Sequence, residues 1–347
     1  ALIGPMSSGK TTLLEAILAR TGAIPRQNTA ASGNMVGMGS PEARAHGMSV
    51  EATVATVSNQ GDSLTIIDCP GSVEYAYEAE PVLRFCDFAI VVVEADEKKL
   101  PALQLTMKRL DEIGLPRVLF LNKIDKATGS VQQTLQMLQT ASENPLLLRQ
   151  IPIWKDGNVT GCIDLALERA YTYRPHEEAK VTEVDDEDRA REEEARFAML
   201  ETLADHDDVL MEHLLEDVSP PIDVVLQDLT AELQDGWITP VLFGSAENGT
   251  GILRLLKTLR HDAPDYNTTR MRLDIAETGD TVAGVVKTIH TSHSGKLSVI
   301  RVLDGKMAEG DQLEFDGRGS CRVSGMQSML GRETTKVQSA DVGETVA

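Results

Sequence analysis

With 347 residues, the chain is longer than one compact core usually organises, so two or three domains are expected. Hydrophobic residues make up 41% and aromatic residues only 4%. That mix fits a soluble α/β protein with aliphatic cores, and no apolar run approaches the roughly 18–20 residues of a membrane span. The formal charge of −21 is concentrated in one segment and argues against that segment gripping a phosphate backbone.

The charge is uneven. Residues 177–235 hold 21 acidic and 4 basic side chains, a balance of −17. This run reads either as a solvated helical face or as an acidic docking surface for a basic protein partner. Four cysteines, Cys69, Cys86, Cys162 and Cys321, have neither CxxC pairing nor metal-ligand spacing, which suits a reducing cytoplasm. A monomer is expected, with no membrane partner and no direct DNA binding. The chain opens without Met on ALIG and stops at GETVA inside a strand-like pattern, as expected of a fragment of a longer protein.

In chain order, residues 1–155 alternate apolar strands (SLTIID, FAIVVVEA, RVLFLNK, RQIPIW) with helical stretches such as KTTLLEAILAR. That alternation predicts a parallel sheet with crossover helices. Residues 156–236 form the acidic, mostly helical block. Residues 237–265 return to the first texture with WITPVLFGSA and GILRLLKTLRHDAP. Residues 270–347 change to short strands with Gly-Asp turns (TVAGVVKTIH, KLSVIRVLDG, DQLEF, CRVSGM), the pattern of an antiparallel barrel.

Chemistry enters at Gly4-Pro-Met-Ser-Ser-Gly9-Lys10-Thr11, a complete GxxxxGK[ST] between a strand end and a helix start. Glycines let successive N–H groups curl around phosphates, and the helix N-terminus adds its positive end. Gly4, Ser7, Ser8, Gly9, Lys10, Thr11 and Thr12 are the expected phosphate-side contacts, with Lys10 at the β/γ-phosphates and the Thr11 hydroxyl on Mg²⁺. Asp68, at the end of SLTIID and followed by Cys69-Pro-Gly71-Ser72, reads as a second holder of Mg²⁺, and Gly71 can offer its N–H to a γ-phosphate.

Asn122-Lys123-Ile124-Asp125 ends a strand at the carboxyl edge where α/β sheets bind ligands. The Asp125 carboxylate can accept two hydrogen bonds from guanine, whereas adenine offers no matching donors. Gly244-Ser245-Ala246, after PVLF, would bring backbone N–H groups to the guanine oxygen.

These motifs, in this order, resemble translational GTPases and specifically the elongation factor G family. About 120 residues separate Asp125 from the Gly-Ser-Ala element, where most small GTPases have few. The block opening IPIWKDGNVTGCIDLALERAYTY resembles that family's inserted subdomain, and GWITPVLFGSAENGTGILRLLKTL resembles its return to the GTPase core. The resemblance implies an α/β P-loop GTPase domain (1–155 and 237–265), a mostly helical inserted subdomain (156–236) and the start of an antiparallel β-barrel domain (270–347). It implies GTP/GDP and Mg²⁺ as ligands and the ribosome as partner, with the stalk protein meeting the insert.

The chain departs from that family's pattern at its trigger. Pro5 and Ser7 replace His and Asp in the phosphate loop. His46-Gly47-Met48-Ser49-Val50 replaces Arg-Gly-Ile-Thr-Ile, with Ser49 keeping a hydroxyl for Mg²⁺. Ser72 stands where the family carries its water-orienting His, so the catalytic positions are Lys10, Gly71 and Ser72. Losing a positioned proton-transfer or orienting group typically costs roughly 10²–10⁴ in rate, ~3–5 kcal/mol. The residues leave three readings: a GTPase acting on the ribosome, a GTP-binding switch with little turnover, and a non-ribosomal P-loop protein. His46 is the one His near the site in sequence; His290 and His293 have no constellation around them. Trp154 and Trp237 read as packing at the roots of the insert.

Overall fold

The computed structural model describes every residue except 128, 129, 175, 176, 178, 292–294, 316 and 317; His293 thus lies outside the described residues. The chain divides into two compact units, one of Ala1–Ile3, Thr21–Asp87 and Pro264–Ala347, the other of Gly4–Arg20 and Phe88–Ala263.

In the second unit, strands Ala89–Val93, Arg117–Leu121, Thr239–Phe243 and Leu146–Leu148 lie side by side in that order, all parallel. The first three are buried along their whole length, which is why they read as unbroken apolar runs rather than alternating ones. Helix Leu100–Glu112 starts with Pro101 in its first turn and buries Leu103, Met107 and Leu110, one stripe at helical spacing.

RQIPIW is not a member of this parallel sheet. Gln150–Lys155 pairs antiparallel with Asn158–Asp164, in a separate sheet ordered with Arg169–Thr172 and Lys180–Thr182. The cause is local. Asp156 and Gly157 both take positive φ (51° and 77°), and an Asp-Gly pair in that conformation folds a strand straight back on itself. The parallel position expected for RQIPIW is filled by the shorter Leu146–Leu148. Gly161 lets the next strand approach: a Cβ there would meet the Tyr171 carbonyl oxygen at 2.3 Å.

Helices Asp186–Ala204, Asp208–Leu215 and Ile222–Asp235 complete this block. Their apolar residues, among them Met199, Leu203, Leu210, Val225 and Leu229, share one core with Ile151, Ile163 and Leu165. Asp186, Glu187 and Asp188 occupy the first turn of their helix, where carboxylates offset the helix dipole. Trp237, just after the block, is 46% exposed and packs its ring at 4.6 Å from that of His206 within it.

In the first unit, strands Glu333–Val337, Met326–Leu330, Thr53–Asn59, Asp62–Asp68 and Leu2–Ile3 lie in that order. Thr53–Asn59, which the sequence reading did not single out, forms a hairpin with Asp62–Asp68 through Gln60 and Gly61, again both at positive φ. Leu2 pairs parallel with Asp68. Val282–Thr291, Gly295–Asp304 and Thr345–Val346 form an antiparallel sheet, with further short antiparallel pairs around a core of Val302, Met307, Met326, Ala340 and Val346.

One carboxylate of the acidic block is withdrawn from water. Glu232 is 1% exposed, and neither of its oxygens has a hydrogen-bond partner among the described residues. Burial, reinforced by the charges of Asp228, Asp205, Asp207 and Asp235, raises its pKa from 4.5 to about 8. The folded chain therefore holds a proton that the unfolded chain releases, and the stability from this group falls as pH rises between about 4.5 and 8. Glu232→Gln should leave thermal unfolding nearly unchanged near pH 5 and raise the midpoint relative to the native chain progressively toward pH 9. Midpoints that shift in parallel at all three of about pH 5, 7 and 9 would show that Glu232 is ionised in the fold without penalty.

Candidate functional site

The loop from Gly4 to Gly9 leads into helix Lys10–Arg20. Its two outer glycines are sterically required. Gly4 has φ 138°, and a Cβ would lie 2.3 Å from the Val92 carbonyl oxygen; Gly9 has φ 95°, and a Cβ would lie 2.3 Å from Asn122 Nδ2. Ser7 adopts left-handed geometry at φ 59°. Lys10 is buried, and its ammonium donates to the Gly4 and Pro5 carbonyl oxygens at 2.9 Å each. Ser8 is also buried, and its Oγ has no hydrogen-bond partner among the described residues. Thr11 and Thr12 follow in the first helical turn, half-buried.

Asn122 ties this loop to two others. Its side chain is 3% exposed; Nδ2 donates to the Ser8 carbonyl at 2.9 Å, and Oδ1 accepts from Ala246 N–H at 2.9 Å. Its own N–H donates to the Val93 carbonyl at 2.7 Å. Lys123 sits at φ 61° and sends Nζ to the Ser7 carbonyl at 2.9 Å. Asp125 is exposed on the short turn Ile124–Lys126, and Ile124 N–H donates to Gly244 O at 3.1 Å. Ser245 and Thr250 exchange backbone hydrogen bonds at 3.2 and 3.0 Å, closing the loop that holds Ala246. The phosphate-side, Asn-Lys-x-Asp and Gly-Ser-Ala residues are thus joined by direct hydrogen bonds.

The remaining expected residues belong to the first unit. Asp68 is fully buried at the end of its strand, and Ser49 Oγ donates to Asp68 Oδ2 at 3.5 Å. Two of the three expected Mg²⁺ holders therefore stand together. Gly71 and Ser72 are half-buried; Ser72 precedes the turn Val73–Glu78, and its carbonyl accepts from Tyr75 N–H at 3.1 Å. His46 ends the helix Pro41–His46, exposed to solvent.

The sequence reading missed Glu94. It follows the buried strand Ala89–Val93 and pairs with Lys123 at 2.5 Å and, through its other oxygen, with Lys99. Burial, then the charges of Lys123 and Lys10, pulls the Lys99 ammonium down to about 8. A carboxylate directly after an all-apolar strand, at the sheet's ligand-binding edge, was the available signal.

Residues 1–265 match the protein family described as the elongation factor Tu GTP binding domain. Along its full length the chain is 39% identical to a Synechocystis sp. protein named elongation factor G-like protein, covering 51% of that protein. It is 27% identical to elongation factor G 1 of Geobacter sulfurreducens, covering 52% of it. A crystal structure of a Thermus thermophilus protein matches 99% of the chain and 51% of its own length with a TM-score of 0.86, at 27% identity. The chain spans about half the length of the curated relatives it matches.

Proposed function

The chain belongs to the elongation factor Tu GTP-binding domain family, and we propose that it binds GTP and GDP with Mg²⁺ and hydrolyses GTP slowly in a ribosome-associated step, as an elongation-factor-G-like GTPase. The observation that carries this reading is the Asn122 amide, which joins Ser8 to Ala246 and so gathers the phosphate and base elements into one site. A loop needing glycine at Gly4 and Gly9, with a buried Ser8 hydroxyl that has no partner among the described residues, has the chemistry of a phosphate cradle.

On this reading Gly4, Ser7, Ser8, Gly9, Lys10, Thr11 and Thr12 hold the phosphates, and Thr11, Ser49 and Asp68 hold Mg²⁺. The metal neutralises charge on the β- and γ-phosphate oxygens. Asp125 accepts from the guanine ring, with Asn122 and Lys123 shaping its loop and Gly244, Ser245 and Ala246 facing the guanine oxygen. Residues 1–155 and 237–265 are the GTP-binding domain, 156–236 the inserted subdomain and 270–347 the barrel. In the cytoplasm, the insert meets the ribosomal stalk protein.

Slow chemistry follows from Ser72. Its hydroxyl ends one bond beyond Cβ, too short to align a water where the family's imidazole would. Binding uses other atoms, so affinity does not depend on it.

Guanine nucleotides should bind far more tightly than adenine nucleotides, by several kcal/mol, because adenine would leave Asp125 unpaired. Asp125→Asn should move the preference toward xanthine. Competition binding giving comparable affinities for ATP and GTP would sink this assignment.

If the acidic residues of the insert dock a basic partner surface, the association rate with ribosomes should fall steeply as salt is raised. Ribosome association left unchanged by deleting residues 156–236 would return the block to a solvated face.

Ser72→His should raise ribosome-stimulated turnover of the full-length protein, by up to roughly 10²–10⁴, while GTP affinity changes little. Single-turnover hydrolysis with and without ribosomes decides it. If the native protein already matches an authentic elongation factor G, the serine is no handicap and His46 is the first residue to mutate. A variant that stays slow points instead to Pro5 and Ser7.

A further inference from the structure

Lys287 lies on strand Val282–Thr291, far in sequence from every motif above. The pairing of this strand with Gly295–Asp304 slips between Val285 and Lys287, so that Val286 is an extra residue. In a regular strand, neighbours point to opposite faces. Here Val286 and Lys287 are both withdrawn from solvent while Val285 is exposed. A bulge of this kind re-aims a side chain, and the side chain it re-aims is the Lys287 ammonium.

That ammonium meets two chain segments at once. Nζ donates to Glu51 Oε2 and to the Ala52 carbonyl, both at 2.7 Å, and stands 3.8 Å from Glu78 Oε2. The same Glu78 oxygen accepts from Ala52 N–H at 3.3 Å. Residues 51 and 52 directly follow the segment carrying Ser49. Glu78 closes the turn Val73–Glu78 that begins after Ser72.

The far end of the same stretch is fixed differently. Gly284 is bare so that the Phe85 ring can lie on the strand; a Cβ there would come within 2.5 Å of it. Arg272 donates to the Cys86 carbonyl at 2.7 Å and the Arg84 carbonyl at 3.0 Å. Thr269 and Arg301 both hold the Asp87 carboxylate, at 2.6 and 2.7 Å. Apolar packing and several hydrogen bonds make that end a permanent anchor. Nearer Ser49, beside the backbone hydrogen bond from Gly331 N–H to the Val54 carbonyl at 2.8 Å, the Lys287 ammonium is the charge shared between the Glu51 and Glu78 carboxylates.

We infer that Lys287 is a positioning residue, the latch by which the barrel strand holds the Ser49 segment and the Ser72 turn in one register, so that ordering either by nucleotide is transmitted to the barrel. This rests on the reading of Ser49 and Ser72 as GTP-facing residues. Two carboxylates competing for one ammonium make the contact reversible, since a shift of either segment exchanges one partner for the other.

The test is amide hydrogen exchange on the native protein, Lys287→Met and Lys287→Arg, each nucleotide-free, with GDP and with a non-hydrolysable GTP analogue. Lys287→Met keeps the apolar stem and removes the charge. Without nucleotide it should speed exchange at Ala52, in Val73–Glu78 and in Val282–Thr291 by about tenfold, and it should change the GTP-analogue-to-GDP affinity ratio at least about fivefold. Lys287→Arg should restore both. Unchanged protection with an unchanged ratio overturns the inference, as does a loss that arginine does not repair, which would mean packing alone. Should Lys287→Met fail to fold, Glu78→Gln must loosen Val73–Glu78 while the Lys287–Glu51 pair persists; full protection there overturns it. A native protein that binds no guanine nucleotide would instead refute the nucleotide reading, and exchange in the nucleotide-free protein would still decide the latch.

Discussion

The nucleotide half of this protein turns on one buried amide. Asn122 spends its N–H on Val93, its Nδ2 on Ser8 and its Oδ1 on Ala246, so no polar group of that side chain is left without a partner. Gly9 is glycine because Asn122 lies where a Cβ would go. Lys123 is forced into left-handed geometry directly after it, and from there its ammonium crosses to Ser7. Removing one such buried partner typically costs about 1–3 kcal/mol. Here the loss would fall on three loops together, because each takes its position from the same side chain.

A second layer of electrostatics supports the first. Three ammonium groups, those of Lys10, Lys99 and Lys123, crowd one edge of the sheet, and burial first, then the charges of Lys123 and Lys10, lowers the pKa of Lys99. Glu94 is the counter-charge that makes the arrangement tolerable, bridging Lys99 and Lys123. Lys10 instead folds back on the carbonyls of Gly4 and Pro5. On the proposed reading, a polyanion at this edge would offset the remaining positive charge.

How far the sequence spoke depended on whether a feature was local. Gly4 through Thr11 and Asn122 through Asp125 were legible because each demands particular backbone geometry or donors within a few residues. The parallel strands were legible as unbroken apolar runs. RQIPIW was misplaced because apolarity alone cannot separate a buried parallel strand from one edge of a hairpin; the Asp156-Gly157 pair held the answer and carried more weight than the run before it. Lys287 and the bulge at Val286 were not legible at all, since a register slip is decided by the partner strand. Glu94 lay between these cases, visible as a charge after AIVVV but with partners that only the fold brings together.

The two ways in which residues 51–87 are held differ in kind, and the difference bears on how a switch can be built. At Phe85, Cys86 and Asp87 an aromatic ring is packed where only glycine fits, and two carbonyls and a carboxylate are held by Thr269, Arg272 and Arg301. Opening that end would expose apolar surface and strand buried polar groups, both of which are costly. At Glu51 and Glu78 the contact is ionic without such apolar packing. The ion pairs of the two ends are about equally reached by solvent, Glu78–Lys287 at 21% and 11% and Asp87–Arg301 at 24% and 11%, so the difference lies in the Phe85 packing and the carbonyl hydrogen bonds of the far end. A strong contact there would lock the Ser49 segment against the barrel whatever the ligand. An ionic contact without apolar packing, flanked by a better packed anchor, can exchange partners in response to differential ligand contacts of a few kcal/mol, the usual scale of coupling between sites. Such a gradient of anchoring, from firm at Asp87 to reversible at Lys287, is what a segment needs if it is to move without unfolding.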